Sequence, residues 1–379
     1  MVTIIIGLKM SDEIDHLPHH LGFEREQAEK GISPYYSDLP LVTFCAANGF
    51  PIHTHPYFRG IHKRWPNVIC EVRDARVMAV PNVGTMFYAR GFEEHLFFDC
   101  LTATGFKSAS LMAENPPQQS FYPYDSFSGD AAVLIGSAVA FGDYVNSKFT
   151  RFMYADLFSE MKEMPIITRP GMVASSYELI GLLGMPKEQV IQLPDYQIID
   201  CERLFVPSIL AGLSAEADNY HFPSEAAQWL RNRISEACGQ TDEISPTTPT
   251  RKVYLSRESA KQRETSNEDE VIEVVRSYGY EIIDPADYSI CEQVKIARET
   301  KQFISLTGSQ TTTIQFAQPG TRFLELKVAE WMTRRILGYS QIYRHLGIPH
   351  TQYLYKEFDD GDYTVDPENL AKAIRQADF

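Results

Sequence analysis

Between residues 251 and 326 the chain alternates between two apolar periods. A short apolar run at 252–256 reads as a strand and is followed by a polar loop. Val271, Val274, Val275 and Tyr278 then recur at helical spacing, with Glu268, Asp269 and Glu270 in the first turn, Ser266 or Asn267 as the cap and Gly279 as the stop. A strand at 280–283, a helix at about 289–299 and a strand at 303–306 come next. The turn Thr307-Gly308-Ser309, a short helix at about 311–316, the turn Pro319-Gly320 and a strand at 323–326 complete the run. Strands alternating with helices predict a parallel sheet covered on both faces.

Upstream the pattern is looser. Residues 1–50 show little periodicity, and 57–130 alternate short strands with turns. From 133 the α/β alternation returns: a strand at 133–135, a helix at about 147–164, a strand at 166–168, a helix at 175–183 and strands at 190–193 and 203–206. An amphipathic helix spans 224–238, and TDEISPTTPT at 241–250 has the Pro and Thr content of a linker. The expected organisation is a strand-rich opening over 1–130, an α/β domain over 131–240, the linker 241–250 and a second α/β domain over 251–379.

A chain of 379 residues is long for one core, which agrees with two domains. A net charge of −15 argues against a nucleic-acid partner and against adsorption to anionic membranes. Against that background residues 251–263 hold five basic residues and a single acid, Glu258. This cluster directly follows a sheet strand, where open α/β sheets place their ligands. The six cysteines contain no C-x-x-C pair and suggest no zinc site or disulfide framework, so a reducing, cytoplasmic location is the expectation. The apolar run 2–8 is too short for a signal peptide or a transmembrane anchor. His16, His19 and His20 are read as polar surface, and Asp360-Gly361-Asp362 as a polar turn rather than a metal-holding D-x-D, so no metal site is expected. With no G-x-G-x-x-G after a strand and no P-loop, a dinucleotide oxidoreductase fits poorly, whereas a sugar-nucleotide epimerase shares the layout.

The run YLSR, then R-x-x-x-N-E-x-E-V, then EQV, then G-S and F-x-x-P-G-T-x-x-x-E-L resembles the C-terminal half of glycosyltransferase family 61. Tyr343-x-x-x-x-Gly347 and Val365-Asp366-x-x-x-Leu370 continue the match, and GLLGMPKEQVIQL with ERLFVPS fits the family's N-terminal domain more weakly. The resemblance implies an α/β, GT-B-like fold with two Rossmann-like domains facing across a cleft. It implies an inverting, metal-independent transfer of a sugar from a nucleoside-diphosphate donor, UDP-linked in this reading, to a glycan or glycolipid acceptor. No cofactor beyond the donor is implied. The family's soluble bacterial members act in surface-polysaccharide biosynthesis. A degenerate member that binds sugar nucleotide or glycan without catalysis is the alternative.

A nucleoside diphosphate needs cations and NH groups on its phosphates and an acid on its ribose. Arg257 ends its strand, where a guanidinium can bind a diphosphate through two N–H groups, and Arg263 is the second cation. Thr307, Gly308, Ser309 and Gln310 lead into a helix whose first NH groups collect phosphate. Glu325 suits the ribose hydroxyls, and Asn267, Glu292 and Gln293 match the family's polar positions. The chain departs from the family in two places. Thr307-Gly308-Ser309-Gln310 stands where many members have His-Gly-Ala-Gly, and GDYVNSKFTRFMYADL contains no histidine where they have Tyr-x-His-Phe. A base for the acceptor hydroxyl is therefore sought at Asp156 first, then Asp143, with His221 and His95 as further candidates.

Overall fold

The computed structural model describes residues 2–7, 68–80, 84–90, 97–99, 121–125, 127, 129–136, 141–156, 158–207, 212–213, 220–221, 224–243, 247–257, 265–328, 342–343, 345–355, 364–376 and 378–379. The chain divides into two compact units, Met1–Asp218 and Asn219–Phe379. The helix at 224 therefore belongs to the second unit, and so does the stretch 241–250. Within that unit Arg298 pairs with Asp242 at 2.6 Å and Gln318 donates to the Thr247 carbonyl at 2.6 Å, which ties this stretch to the α/β body.

The first unit is built on one mixed sheet. Its strands are β1 (Val2–Gly7), β2 (Val68–Val80), β3 (Gly84–Ala89), β4 (Phe97–Asp99), β5 (Tyr122–Pro123), β6 (Ala131–Gly136), β7 (Ile166–Thr168), β8 (Val190–Gln192) and β9 (Gln197–Pro207). The order is β4-β3-β2-β9-β6-β7-β8, with β1 on β2 and β5 on β9. β9 is antiparallel to β2 and parallel to β6, so it joins an antiparallel half to a parallel half. The strands from β9 through β6 and β7 to β8 are parallel, whereas β2, β3 and β4 pair antiparallel, so the first unit is α/β on a mixed sheet. Val72, Val77, Leu134, Ile167 and Leu204 fill the core, and helix α1 (Ala174–Leu182) lies between β7 and β8.

The helix expected over 147–164 forms differently. A π-turn covers Tyr144–Lys148, and 3-10 turns cover Phe149–Asp156 and Ser159–Glu163. Aromatic and β-branched residues crowd this segment, and Ser147 and Thr150 donate their hydroxyls to the Asp143 and Asn146 carbonyls four residues back. Such back-bonding competes with a regular α-helix.

Short strands β10 (Gly212–Leu213) and β11 (Tyr220–His221) lie to either side of the division, and helix α2 (Ser224–Ala237) follows. The second unit's sheet consists of β12 (Arg251–Leu255), β13 (Glu281–Ile283), β14 (Thr300–Leu306), β15 (Arg322–Val328) and β16 (His350–Tyr355). All five strands are parallel, in the order β13-β12-β14-β15-β16. Helix α3 (Glu268–Ser277) links β12 to β13, α4 (Ile290–Glu299) links β13 to β14, and α5 (Pro367–Gln376) is the last helix. On one face Val271, Val275, Leu370 and Ile374 pack on Tyr254, Ile304, Leu324 and Leu326. Gly279, at φ +80°, ends α3 in a conformation that L side chains rarely adopt.

The cysteines, expected to form no disulfide framework, do include a bonded pair. Cys238, just beyond α2, is disulfide-bonded to Cys291 in the first turn of α4, with a Cα–Cα separation of 5.1 Å. The two are 53 positions apart in sequence, so spacing alone could not show the pair. Among the described residues no helix is long and apolar enough to cross a membrane.

Candidate functional site

In the second unit's sheet the chain enters at β12, moves to the edge at β13, and then returns past β12 to β14. The strand order therefore reverses between β12 and β14. Helices leave the two strands toward opposite faces at such a point, and a crevice opens beyond their carboxyl ends. Arg257 lies two residues past the end of β12, and Thr307 directly follows β14.

These two ends are joined. Arg257 Nη1 donates to the Thr307 carbonyl oxygen at 3.0 Å. The Arg257 amide donates to Glu268 Oε1 at 3.0 Å, and the Tyr254 hydroxyl donates to the same oxygen at 2.9 Å. Glu268, the first residue of α3, thus holds the end of β12. Ser305 donates its hydroxyl to the Leu255 carbonyl at 3.0 Å, and Gln310 Nε2 donates to Ser305 Oγ at 3.1 Å and to the Leu306 carbonyl at 2.7 Å.

Gly308 is extended, at φ 167° and ψ −177°, so its backbone alone would admit any residue. Space for a side chain is limited by the ends of two neighbouring side chains. A Cβ there would lie 3.0 Å from Arg257 Cζ and would overlap Gln310 Oε1. The expected short helix after the turn is a 3-10 helix, Ser309–Phe316. Thr311 and Thr312 donate their hydroxyls to the carbonyls three residues back, at 2.7 and 2.8 Å, which suits the tighter winding.

Glu325 sits in mid-strand rather than at a strand end, because β15 runs on to Val328 alongside β16. It is buried, at 5% exposure. Its Oε1 accepts from the Thr307 hydroxyl at 2.8 Å, and its Oε2 lies 3.1 Å from His350 Nε2 and 3.8 Å from Lys327 Nζ. The His350 ring stacks on Phe323 at 4.9 Å and meets the Tyr343 ring edge-on at 5.2 Å.

Of the residues expected in the donor site, Arg257, Thr307, Gly308, Ser309, Gln310 and Glu325 converge on this edge. Arg263 lies outside the described residues. Asn267 occupies the N-cap position of α3, yet its side chain does not cap the helix; it donates to the Val365 carbonyl at 2.8 Å and accepts from the Val365 amide at 3.0 Å. Glu292 forms a capping box with Ser289, and that hydroxyl holds its carboxyl below the usual glutamate range. Gln293 is buried, donating to the Pro285 and Tyr288 carbonyls and accepting from the Thr313 hydroxyl. Asn267 and Gln293 thus hold one segment to another, and Glu292 caps its own helix. Lys327 and His350 are partners of Glu325 that the sequence reading did not point to. The two-residue strand period places Phe323, Glu325 and Lys327 on one face and would have flagged Lys327. Nothing in the sequence paired His350 with Glu325.

In the first unit the expected bases separate. Asp143 begins a segment whose next residue, Tyr144, has its hydroxyl 3.4 Å from Thr168 Oγ1 and from the Arg169 carbonyl, at the carboxyl end of β7. Around that edge Arg169 donates to the Val80 carbonyl at 3.1 Å and pairs with Asp195. Burial lowers the Arg169 pKa, with Tyr144 opposing. Asp156 lies at the segment's other end, exposed and 3.4 Å from Lys162 Nζ. The next turn carries Glu160, which accepts from Arg203 at 2.8 Å, and Arg203 is in register with Ala131 at the start of β6. Asp156 thus belongs to the amino edge of the parallel strands and Asp143 to the carboxyl edge. His221 lies in β11, whereas His95 and Asp360-Gly361-Asp362 fall outside the described residues. Among the described residues no three His, Cys, Asp or Glu side chains cluster closely enough to hold a metal ion.

The sequence pattern of the family described as Glycosyltransferase 61 matches residues 72–324, about two-thirds of the chain. No curated protein matches it.

Proposed function

Because the chain belongs to glycosyltransferase family 61 and is a glycosyltransferase, we propose that it moves a sugar from a uridine-diphosphate donor to a glycan or glycolipid acceptor, with inversion and without an essential metal. The observation that carries this reading is the bond from Arg257 to Thr307 across the strand-order reversal of the second unit. It sets a guanidinium beside an extended glycine at the start of a helix, the elements that a diphosphate needs.

In this reading the second unit holds the donor in the GT-B manner. Arg257 and the backbone NH groups that follow Gly308 face the diphosphate and stabilise the charge that builds on it as it leaves. Because these groups supply the positive potential, no step calls for a metal ion. The acceptor hydroxyl attacks the anomeric carbon from the side opposite the diphosphate, the bond to the leaving oxygen breaks, and a carboxylate takes the hydroxyl proton. Asp143 is placed ahead of Asp156 for that task, since it lies at the carboxyl edge of the parallel strands, where such sheets bind ligands. The product proposed is a surface polysaccharide. The Cys238–Cys291 disulfide favours an oxidising compartment over the cytoplasm.

A thermal-shift screen of nucleoside diphosphates and nucleotide sugars tests the reading. A ligand at a hundred times its dissociation constant stabilises the folded state by about 2.7 kcal/mol. UDP and a UDP-sugar should raise the melting temperature. A flat response to every nucleotide would contradict the proposal.

A further inference from the structure

We propose that Glu325 is a positioning residue of the donor site, acting through Thr307, and that it does not touch the ribose. The inference rests on the donor site proposed above and deepens it.

Each carboxylate oxygen of Glu325 already has a protein partner: Thr307 on Oε1, and His350 with Lys327 on Oε2. The carboxylate is buried in mid-strand, and the ammonium beside it is buried as well, at 3% exposure. Turning Glu325 toward a ribose would break its bonds to Thr307 and His350 and draw its charge away from the buried Lys327 ammonium, which is costly. Thr307 is fixed at all three of its polar atoms, at one of them by Glu325. Its amide donates to the Leu326 carbonyl at 3.0 Å, its hydroxyl donates to Glu325 at 2.8 Å, and its carbonyl accepts from Arg257 at 3.0 Å. A single residue thus links the buried Lys327–Glu325–His350 group to the cation at the mouth of the site. The direction of the Gly308 backbone and of the Arg257 guanidinium follows from how Thr307 is held. Glu325 is the anchor of that chain, and its charge is used inside the protein.

The two roles give opposite results with modified nucleotides. Affinities for UDP and for 2′-deoxy-UDP and 3′-deoxy-UDP are measured by calorimetry on the wild type, Glu325→Gln and Thr307→Val. The positioning role predicts that Glu325→Gln weakens UDP by about tenfold while the UDP-to-deoxy-UDP ratios stay within about twofold of wild type. Thr307→Val should reproduce that loss, and in its background Glu325→Gln should add little. Thr307→Val leaves the buried charges in place, so it carries the test if Glu325→Gln does not fold. A ratio that collapses to one in Glu325→Gln, or wild-type affinity in Thr307→Val, would overturn the positioning role and leave the donor site standing. A wild type that binds no nucleoside diphosphate would overturn both.

Discussion

Arg257 Nη1 and the carbonyl oxygen of Thr307 are 3.0 Å apart, and this bond ties the ends of two strands that leave the sheet at the point where its order reverses. The bond restrains the guanidinium before any ligand arrives. A pre-oriented arginine loses less side-chain freedom on binding than a free one, which favours affinity.

Gly308 faces that guanidinium. Gly308→Ala sets a methyl 3.0 Å from Arg257 Cζ and against Gln310 Oε1, and Gln310 is itself held by Ser305 and Leu306. Its extended backbone accepts alanine without strain. We expect UDP affinity to fall by about tenfold, or about 1.4 kcal/mol, with the melting temperature nearly unchanged. Calorimetry and a thermal melt on the same preparation check this. A large drop in melting temperature would show that the glycine serves the fold instead.

Asp143→Asn is expected to keep UDP affinity and to cut turnover by about a hundredfold or more, the usual contribution of a positioned base. Asp156→Asn should retain most activity, because Asp156 is exposed and paired with Lys162 at the far edge. Initial rates with a UDP-sugar donor, read beside donor affinity, decide between them. The reverse pattern would return the role to Asp156.

The disulfide closes a loop between α2 and α4 and should stabilise the second unit by about 2–4 kcal/mol. Urea unfolding with and without reductant should show a lower midpoint when Cys238 and Cys291 are reduced. Alkylation followed by mass spectrometry that found both thiols free in protein isolated without reductant would remove the bond. Cys201 is buried, and burial together with the nearby Asp200 charge pushes its thiol pKa up to about 12, so it should resist alkylation in the folded protein.

In the first unit Arg76 grips both carboxylate oxygens of Asp200 at 2.6 Å and, chiefly through that hydrogen bonding, holds the carboxyl below the usual aspartate range. A depressed carboxyl pKa adds stability above its unfolded value of 3.8 and loses it as pH falls through the folded value. Asp200 is partly exposed, so the gain is screened to under about 1 kcal/mol. Urea midpoints measured from about pH 3 to 7 should fall less steeply on the acid side in Asp200→Asn. An acid limb identical to wild type would assign the acid sensitivity to other carboxylates.

The second unit was legible in the sequence because its local signals agree with its fold. Helical spacing from Val271 to Tyr278, the stop at Gly279 and the apolar runs at β12, β14 and β15 all give the parallel α/β order. Arg257, Thr307 and Gly308 could be placed from strand ends alone. The rest depended on distant contacts. Asn267 satisfies the backbone of Val365, Glu268 rather than Asn267 holds the strand end, and Glu325 meets His350 through the pairing of β15 with β16. In the segment from Tyr144 to Asp156 the hydroxyl back-bonds and aromatic crowding replaced the α-helix that apolar spacing suggested.

The most direct test of the account is titration calorimetry of UDP against the wild type and Arg257→Ala. The account predicts that the wild type binds UDP and that Arg257→Ala binds it at least about tenfold more weakly, a loss of about 1.4 kcal/mol. Equal affinity in the two proteins would contradict it, because the diphosphate would then lie away from the junction of β12 and β14.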